Sequence, residues 1–184
     1  SIRAAEREAV KLERLLACMV AGRANREWFS PEFEARVEAL LDFVCSTMDR
    51  RGNALIPGES GALRSLLATG AILFRRGDFK LKAGRLDDET HWLLGAGAAA
   101  LYDGLDVEST RLPLRQSFPE SGTYVLGADF DGARELRLVA SSGGLHFTLS
   151  AGGRELLVDP GCYPEPGRNA WRCYFNSGAA RNGL

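Results

Sequence analysis

The sequence predicts an α+β fold, in which a helical segment is followed by antiparallel β-structure. Three observations predict it. Apolar residues recur every three to four positions through residue 105, and the composition shifts to that of a linker over 106–117. Apolar residues then alternate with polar ones from residue 118 onward. The predicted domains are therefore a helical segment (1–105), a linker (106–117) and the start of a β-domain (118–184).

Two strong helix signals stand in the first half. The first is Ser30-Pro31-Glu32, which combines a capping hydroxyl, a proline at the first helical position and an acid in the first turn. The second is Asp87-Asp88-Glu89, which opens a helix containing Trp92. Two further helices follow from apolar stripes, one before a predicted break at Gly22 and one near the middle of the segment. Their stripes are Val10, Leu12, Leu15, Leu16, Met19, Val20 and Leu63, Leu66, Leu67, Ile72, Leu73.

The second half reads as short strands. The clearest unit is a hairpin in which Gly152-Gly153 joins two β-prone runs, because both glycines can adopt positive φ. Asp159-Pro160-Gly161 ends the second run, since proline cannot donate to a ladder. Four or five strands are too few for a closed sandwich, so we expect an incomplete sheet whose open edge favours self-association.

Composition excludes several classes of protein. The chain has 184 residues, a net charge of −1 and 45% hydrophobic residues, which is typical of a globular domain rather than a disordered one. The neutral balance argues against nucleic-acid binding. We expect no membrane span, because no apolar run reaches the required length, and no signal peptide within this chain.

The four cysteines do not indicate a disulfide scaffold. Cys18 and Cys45 fall among apolar residues and are predicted to be small core residues. Cys162 and Cys173 leave two alternatives open, a disulfide in an oxidising compartment or two free thiols, because spacing alone does not establish geometry.

Several segments resemble the heparinase II/III-like polysaccharide lyases. The most specific are Val158-Asp159-Pro160-Gly161 and the stretch from Trp171 to Asn182. The resemblance also covers Phe118–Leu126, Phe147–Val158 and, upstream, Leu81–Leu94. It implies the C-terminal helices of an incomplete α/α toroid followed by part of an antiparallel β-sandwich.

The resemblance implies β-elimination on a uronate-containing acidic polysaccharide, and hence a periplasmic or extracellular location. Such a reaction requires neutralisation of the uronate carboxylate, a base for the C5 proton and an acid for the leaving oxygen. The family places Asn, His and Tyr for this chemistry upstream of the part of the toroid present here, so the catalytic residues of this chain are unknown. Two alternatives stay open: a non-catalytic carbohydrate-binding or scaffold protein of exopolysaccharide production, and an inactive fragment that pairs with another copy.

The chain departs from the family pattern at two places. Residues 140–146 lack the family's His-x-His-x-Asp segment, through natural loss, a deletion or a loop missing from the recorded sequence. Arg181 stands where the family has a histidine. Asp159 matches a family ligand position but cannot hold a metal alone, because a site needs about three or four protein ligands. We therefore predict no metal or other cofactor here, whereas relatives with the complete site can hold a divalent metal such as zinc.

Candidate substrate-binding residues lie in the last two dozen positions. Aromatic rings suited to stacking on sugars at a sheet edge are Tyr163, Trp171 and Tyr174, although core packing is the favoured role for Trp171. Arg172 and Arg181 are candidates for carboxylate or sulfate contact, against the alternative of a solvated face. Asn182 completes the set through the resemblance. We expect these side chains to line a cleft between the helices and the sheet.

The remaining polar candidates have structural interpretations. His146 is predicted to be a hydrogen-bonded sheet histidine rather than a catalytic one, and His91 a packing residue on a helix. Asp159 is predicted first as a turn-capping carboxylate and second as a remnant cleft or metal position.

Overall fold

A computed structural model of the chain describes residues 2–55, 60–108, 114–142, 146–158, 170–175, 177–180 and 182. The fold is α+β. The helices are α1 (Ile2–Ala24), α2 (Pro31–Ser46), α3 (Ser60–Phe74), α4 (Gly77–Ala83), α5 (Asp88–Leu94), α6 (Ala98–Asp103) and α7 (Ala170–Phe175), with a 3-10 turn at Gly178–Ala180. The strands are β1 (Ser117–Phe118), β2 (Thr123–Ala128), β3 (Leu136–Ser141), β4 (His146–Ala151) and β5 (Arg154–Leu157).

Local chemistry explains where two helices begin. Ser30 caps α2 by accepting a hydrogen bond from the Phe33 amide at 3.3 Å, and Pro31 takes the first helical position. Asp87 caps α5 by accepting from the Thr90 amide at 2.8 Å. Both predicted helix starts are confirmed.

Helices α1–α6, here called the helical layer, enclose an apolar core. Fully buried members from α1 to α4 include Leu16, Met19, Leu41, Leu67 and Phe79, and Met48 joins them from the segment after α2. Gly70 lets α3 approach α2 closely, because a Cβ at this position would lie 2.6 Å from the Leu41 side chain. The middle of the layer is therefore held by close apolar packing.

The strands form one antiparallel sheet in the order β1-β2-β3-β4-β5. The β4–β5 turn has Gly152 and Gly153 at φ values of 57° and 74°, which confirms the predicted Gly-Gly hairpin. One face of the sheet packs on the helical layer through a small apolar cluster of Leu55, Phe118, Val125 and Val139. In this cluster Phe118 meets Phe43 of α2 edge-on, with ring centroids 5.1 Å apart.

Two local predictions are wrong. Helix α1 does not break at Gly22 but continues to Ala24. The helical half also contains two short helices that were not predicted separately, α4 and α6. Cys18 is exposed, because the buried stripe of α1 passes through Leu16 and Met19 on either side of it. Trp92 lies on the predicted helix, α5, where it is 85% exposed and the layer is covered by other side chains such as the buried Thr90.

None of the helices within the described residues is long and apolar enough to span a bilayer. Of the predicted linker, residues 106–108 and 114–117 are described. Residue 117 already belongs to β1, so the β-structure begins one residue earlier than the predicted domain boundary.

Candidate functional site

The candidate carbohydrate site predicted from the sequence falls partly on α7. Trp171 is 61% exposed and Tyr174 47% exposed, and their rings meet edge-on with centroids 6.5 Å apart. Phe175 adds a third, half-buried ring, 6.4 Å from Trp171 and 5.4 Å from Tyr174. These three residues form an aromatic group with two exposed members, and the favoured prediction that Trp171 packs in the core is wrong.

The aromatic group lies on a helix and not at a sheet edge. Trp171 and Tyr174 are three positions apart, so one helical turn places them on the same side of α7. The expectation of a strand edge is wrong here, because the residues from Ala170 to Phe175 form a helix.

The other predicted substrate-binding residues are described to different extents. Asn182 lies beside the sheet, where its Nδ2 donates to the Val158 carbonyl at 2.9 Å and its carbonyl accepts from the Phe147 amide at 3.0 Å. Arg172 lies within α7. Tyr163, Arg181 and Asp159 lie outside the described residues.

Both histidines are placed in the structure. His146 opens β4, is half-buried and pairs in register with Ser141 of β3, which agrees with the predicted sheet position. His91 is exposed in the last turn of α5, so the prediction that it is a packing residue is wrong.

Two of the cysteines bear on reactivity. Cys173 is an exposed free thiol on α7, and its proposed partner Cys162 lies outside the described residues. Cys45 is a buried thiol, as predicted, and burial raises its pKa to about 12. Its Sγ donates to the Asp78 carbonyl at 3.8 Å, so Cys45 is a protonated core residue at neutral pH.

Sequence reasoning missed a buried ionic group between the helical layer and the sheet. The seam cluster, as we call it, consists of Lys82 from α4, Asp131 and Glu135 from the β2–β3 loop, and Arg137 from β3. The side chains of Lys82, Glu135 and Arg137 are 0% exposed and that of Asp131 is 5% exposed. Two cations balance two carboxylates, which is the condition for burying charge at tolerable cost.

Arg137 joins the members of the seam cluster. Its Nη2 lies 2.9 Å from Asp131 Oδ1 and 2.6 Å from Glu135 Oε1, and its Nε lies 2.9 Å from the same Glu135 oxygen. Its Nη1 donates to the Ser46 carbonyl at the end of α2, at 2.5 Å. The guanidinium therefore bonds the sheet directly to the helical layer.

Lys82 and Glu135 make the same connection from opposite sides. Lys82 Nζ donates to the Met48 carbonyl at 2.9 Å and pairs with Asp131. Glu135 Oε2 accepts from the Arg50 amide at 2.7 Å. Burial, with a smaller contribution from the Arg137 guanidinium, lowers the pKa of Lys82, and Asp131 opposes this shift.

A second ionic network lies inside the helical layer. Arg76, just before α4, pairs with Glu38 and Asp42 at 2.7 Å each and with Asp78 at 2.6 Å. Burial raises the pKa of Asp42, and the Arg76 charge acts against that rise. Arg76 also lies over the Phe79 ring, at 4.2 Å from the centroid.

These networks stabilise contacts between elements rather than form an open reaction centre. Every charged member of the seam cluster bonds to another member or to a main-chain group. The sequence signal was weak but present: Arg137 is the one charged residue in the strand Leu136–Ser141, where a charge has to be paired if its face is covered.

The donor set does not fit the metal that the family resemblance allows. Arg181 replaces a ligand histidine with a cation, and a guanidinium cannot coordinate a metal ion. In the described part of the chain, no group of three or more His, Cys, Asp or Glu residues is arranged to hold a metal.

Comparisons of the chain with protein-family models, with curated proteins and with solved structures gave no match. Function is therefore inferred from the residues and their geometry. Two features carry information: the exposed aromatic group on α7 and the closed seam cluster.

Proposed function

We propose that this chain binds acidic polysaccharide as a polysaccharide lyase of the heparinase II/III-like type, acting in the periplasm or outside the cell. The observation that carries the proposal is the pair of exposed rings, Trp171 and Tyr174, within the segment that most specifically resembles that family. Exposed aromatic residues with free faces are the usual protein groups for stacking on sugar rings.

The order of helices and strands supports the proposal further. Helical hairpins precede an antiparallel sheet, in agreement with the end of an incomplete α/α toroid followed by part of a β-sandwich. The resemblance places the base and acid of the elimination in helices upstream of those present here. The contribution proposed for this chain is thus to hold the polysaccharide, with Arg172 and Arg181 facing its carboxylates or sulfates.

The second candidate function is a non-catalytic carbohydrate-binding or scaffold role in exopolysaccharide production. The seam cluster favours it, because the polar groups between helices and sheet are saturated by one another. A lyase cleft at this position would need polar groups that face a substrate. Both candidates predict polysaccharide binding, and only the first predicts turnover.

The binding test compares two exposed tryptophans. Affinity electrophoresis in gels containing alginate, heparan sulfate or chondroitin sulfate measures retardation of the wild type, Trp171→Ala and Trp92→Ala. Trp92 is the matched control, since it is 85% exposed and lies on a different helix, α5. We expect Trp171→Ala to weaken binding about threefold to tenfold, the loss of one aromatic contact, and Trp92→Ala to bind like the wild type. Equal retardation of all three proteins would refute the proposed site.

The charge contribution is tested with Arg181→Met. Removing a cation from an ionic contact should weaken binding at low salt and change it little at high salt, because salt screens that contact. Unchanged affinity at low salt would remove Arg181 from the site. Lyase activity is followed separately as a rise in near-ultraviolet absorbance from the unsaturated uronate. Binding without that rise would favour the scaffold function.

A further inference from the structure

Three loops meet at one end of the sheet, beside the seam cluster. They are the β2–β3 loop, the β4–β5 turn and the segment 48–54, which follows α2. Arg50 of that segment donates from Nη1 to the Gly132 carbonyl at 2.9 Å, and its amide donates to Glu135 Oε2 at 2.7 Å. The Gly152 amide in the β4–β5 turn donates to the Glu135 carbonyl at 2.8 Å. Hydrogen bonds therefore hold the three loops together.

Arg51, also from the segment 48–54, lies on the β4–β5 turn. A Cβ at Gly153 would lie 2.9 Å from Arg51 Cζ, so this position has to be glycine for the guanidinium to rest there. The left-handed φ of 74° at Gly153 favours the same residue. Arg51 is nevertheless exposed, so its charge is accessible to a ligand.

The sheet supplies two more arginines at this end. Arg134 lies in the β2–β3 loop, where its amide donates to Asp129 Oδ2 at 2.8 Å. Arg154 directly follows the β4–β5 turn and pairs in register with Ala151, which places it on the sheet face away from the helical layer. The arginine group, as we call it, consists of four exposed residues: Arg50, Arg51, Arg134 and Arg154.

The arginine group differs from the buried cations in having no carboxylate partner. Arg76 and Arg137 each pair with at least two carboxylates. In the part of the chain that the structure describes, no ion pair joins a member of the arginine group to an acid. A guanidinium has five N–H donors in a planar fork that matches a carboxylate or a sulfate. The group therefore presents donors suited to an anionic ligand.

Two exposed acids in the same loops favour a polysaccharide over a nucleic acid. They are Asp129, before Arg134, and Glu155, after Arg154, so four cations stand against two acids. A DNA duplex carries about one phosphate charge per 1.7 Å, and the two carboxylates would repel so dense a row of anions. An acidic polysaccharide also presents hydroxyl groups. Its acid groups can bind the guanidinium groups while its hydroxyls donate to the carboxylates.

We propose that the arginine group binds the carboxylate or sulfate groups of an acidic polysaccharide. The helical layer and the sheet contribute two arginines each, so the bound polysaccharide spans the end of the seam between them. This site rests on the proposed function, because it takes the same class of ligand, and it adds a contact area that does not involve α7.

Titration calorimetry of the full chain with alginate, heparan sulfate and chondroitin sulfate at low salt tests the site. Arg51→Gln/Arg134→Gln should weaken binding about fivefold to thirtyfold, the effect of losing two ionic contacts. Arg14→Gln/Arg36→Gln is the matched control, because it removes the same charge from two exposed positions on α1 and α2, and it should bind like the wild type. Circular dichroism confirms that each variant is folded. Arg154→Gln, with an expected loss of about threefold, replaces the first variant if that one does not fold.

Three results would overturn the proposal. The first is a folded Arg51→Gln/Arg134→Gln variant that binds as tightly as the control variant. If Trp171→Ala still weakens binding in that case, the proposed function stands and the arginine site alone fails. The second is a wild type that binds none of the three polysaccharides, which removes the proposed function as well. The third is a single-stranded DNA oligonucleotide that binds more tightly than every polysaccharide and loses affinity in the same variant.

Discussion

The core of the helical layer and the seam between that layer and the sheet are both buried, but their chemistry is opposite. In the core, leucine, methionine and phenylalanine side chains such as Leu67 and Phe79 pack with almost no exposure. At the seam, groups just as buried are ions, with Arg137, Glu135 and Lys82 at 0–1% exposure. One chain therefore joins its elements by two different means.

The difference shows which property of the fold each region determines. Apolar packing is non-directional and tolerates exchange of one hydrophobic side chain for another of similar volume. Ion pairs and hydrogen bonds require defined distances, so Arg137 can meet Ser46, Asp131 and Glu135 together only when the sheet lies in one orientation on the helices. The core thus supplies most of the favourable burial, and the seam sets the orientation.

The largest expected effect comes from Arg137→Met at the seam. The substitution keeps an apolar stem but leaves Glu135 without its cation, and breaking a buried pair in this way typically costs about 3–5 kcal/mol. We expect a decrease of that size in the free energy of unfolding, measured by urea denaturation. Arg134→Met is the control, because Arg134 is exposed in the same loop and should change stability by less than about 0.5 kcal/mol. Equal effects of the two variants would contradict an ionic seam.

A somewhat smaller effect is expected from Leu67→Ala in the core. Leu67 is 0% exposed, and truncating a buried leucine leaves a cavity that costs about 3 kcal/mol within a range of roughly 2–5. Salt concentration separates the effect of the core variant from that of the seam variant, because salt screens charges but does not change the cost of a cavity. The loss in Leu67→Ala, measured by urea denaturation, should be the same at low and high salt. A marked salt dependence would mean that the core variant also disturbs the ionic networks. Leu101→Ala, at an exposed position on α6, is the control.

The smallest expected effect is a pH dependence from Lys82. Its pKa in the folded chain is lowered below the ordinary 10.5, so between the two values the unfolded chain binds the proton more strongly. The free energy of unfolding therefore gains a positive slope with pH in that window. We expect the free energy of unfolding of the wild type to increase relative to that of Lys82→Met as the pH rises from neutral toward 10.5. Urea denaturation at each pH measures this difference. Lys11→Met, on the exposed side of α1, serves as control, and a difference that shrinks with rising pH would contradict the assignment.

Local features of this fold could be predicted from the sequence, and contacts between distant residues could not. The Ser30 cap and the Gly152-Gly153 turn depend on neighbours within a few positions, and both are confirmed. The seam cluster joins Lys82 to Asp131, 49 positions later, and a pattern of single residues does not reveal such a pairing.

The candidate site shows the same division. Trp171 and Tyr174 are exposed on a helix, and the sequence predicted neither the exposure of Trp171 nor the helix, because the surrounding period of two favoured a strand. Cys18 was misplaced for a related reason. Apolar neighbours in sequence do not show which side of α1 a residue occupies. Cys18 stands between the buried Leu16 and Met19 in the sequence, but its own side chain faces the exposed side of the helix.

The bonds across the seam also bear on the order of assembly. Arg50 to Glu135, Ser46 to Arg137 and Leu55 to Thr148 join residues 85, 91 and 93 positions apart. Closing a loop of that length costs chain entropy before any of these bonds can form. During synthesis from the N-terminus, α1 to α4 are complete before Arg137 is added, so none of these three bonds can form until the strands that supply Arg137 and Thr148 have been made.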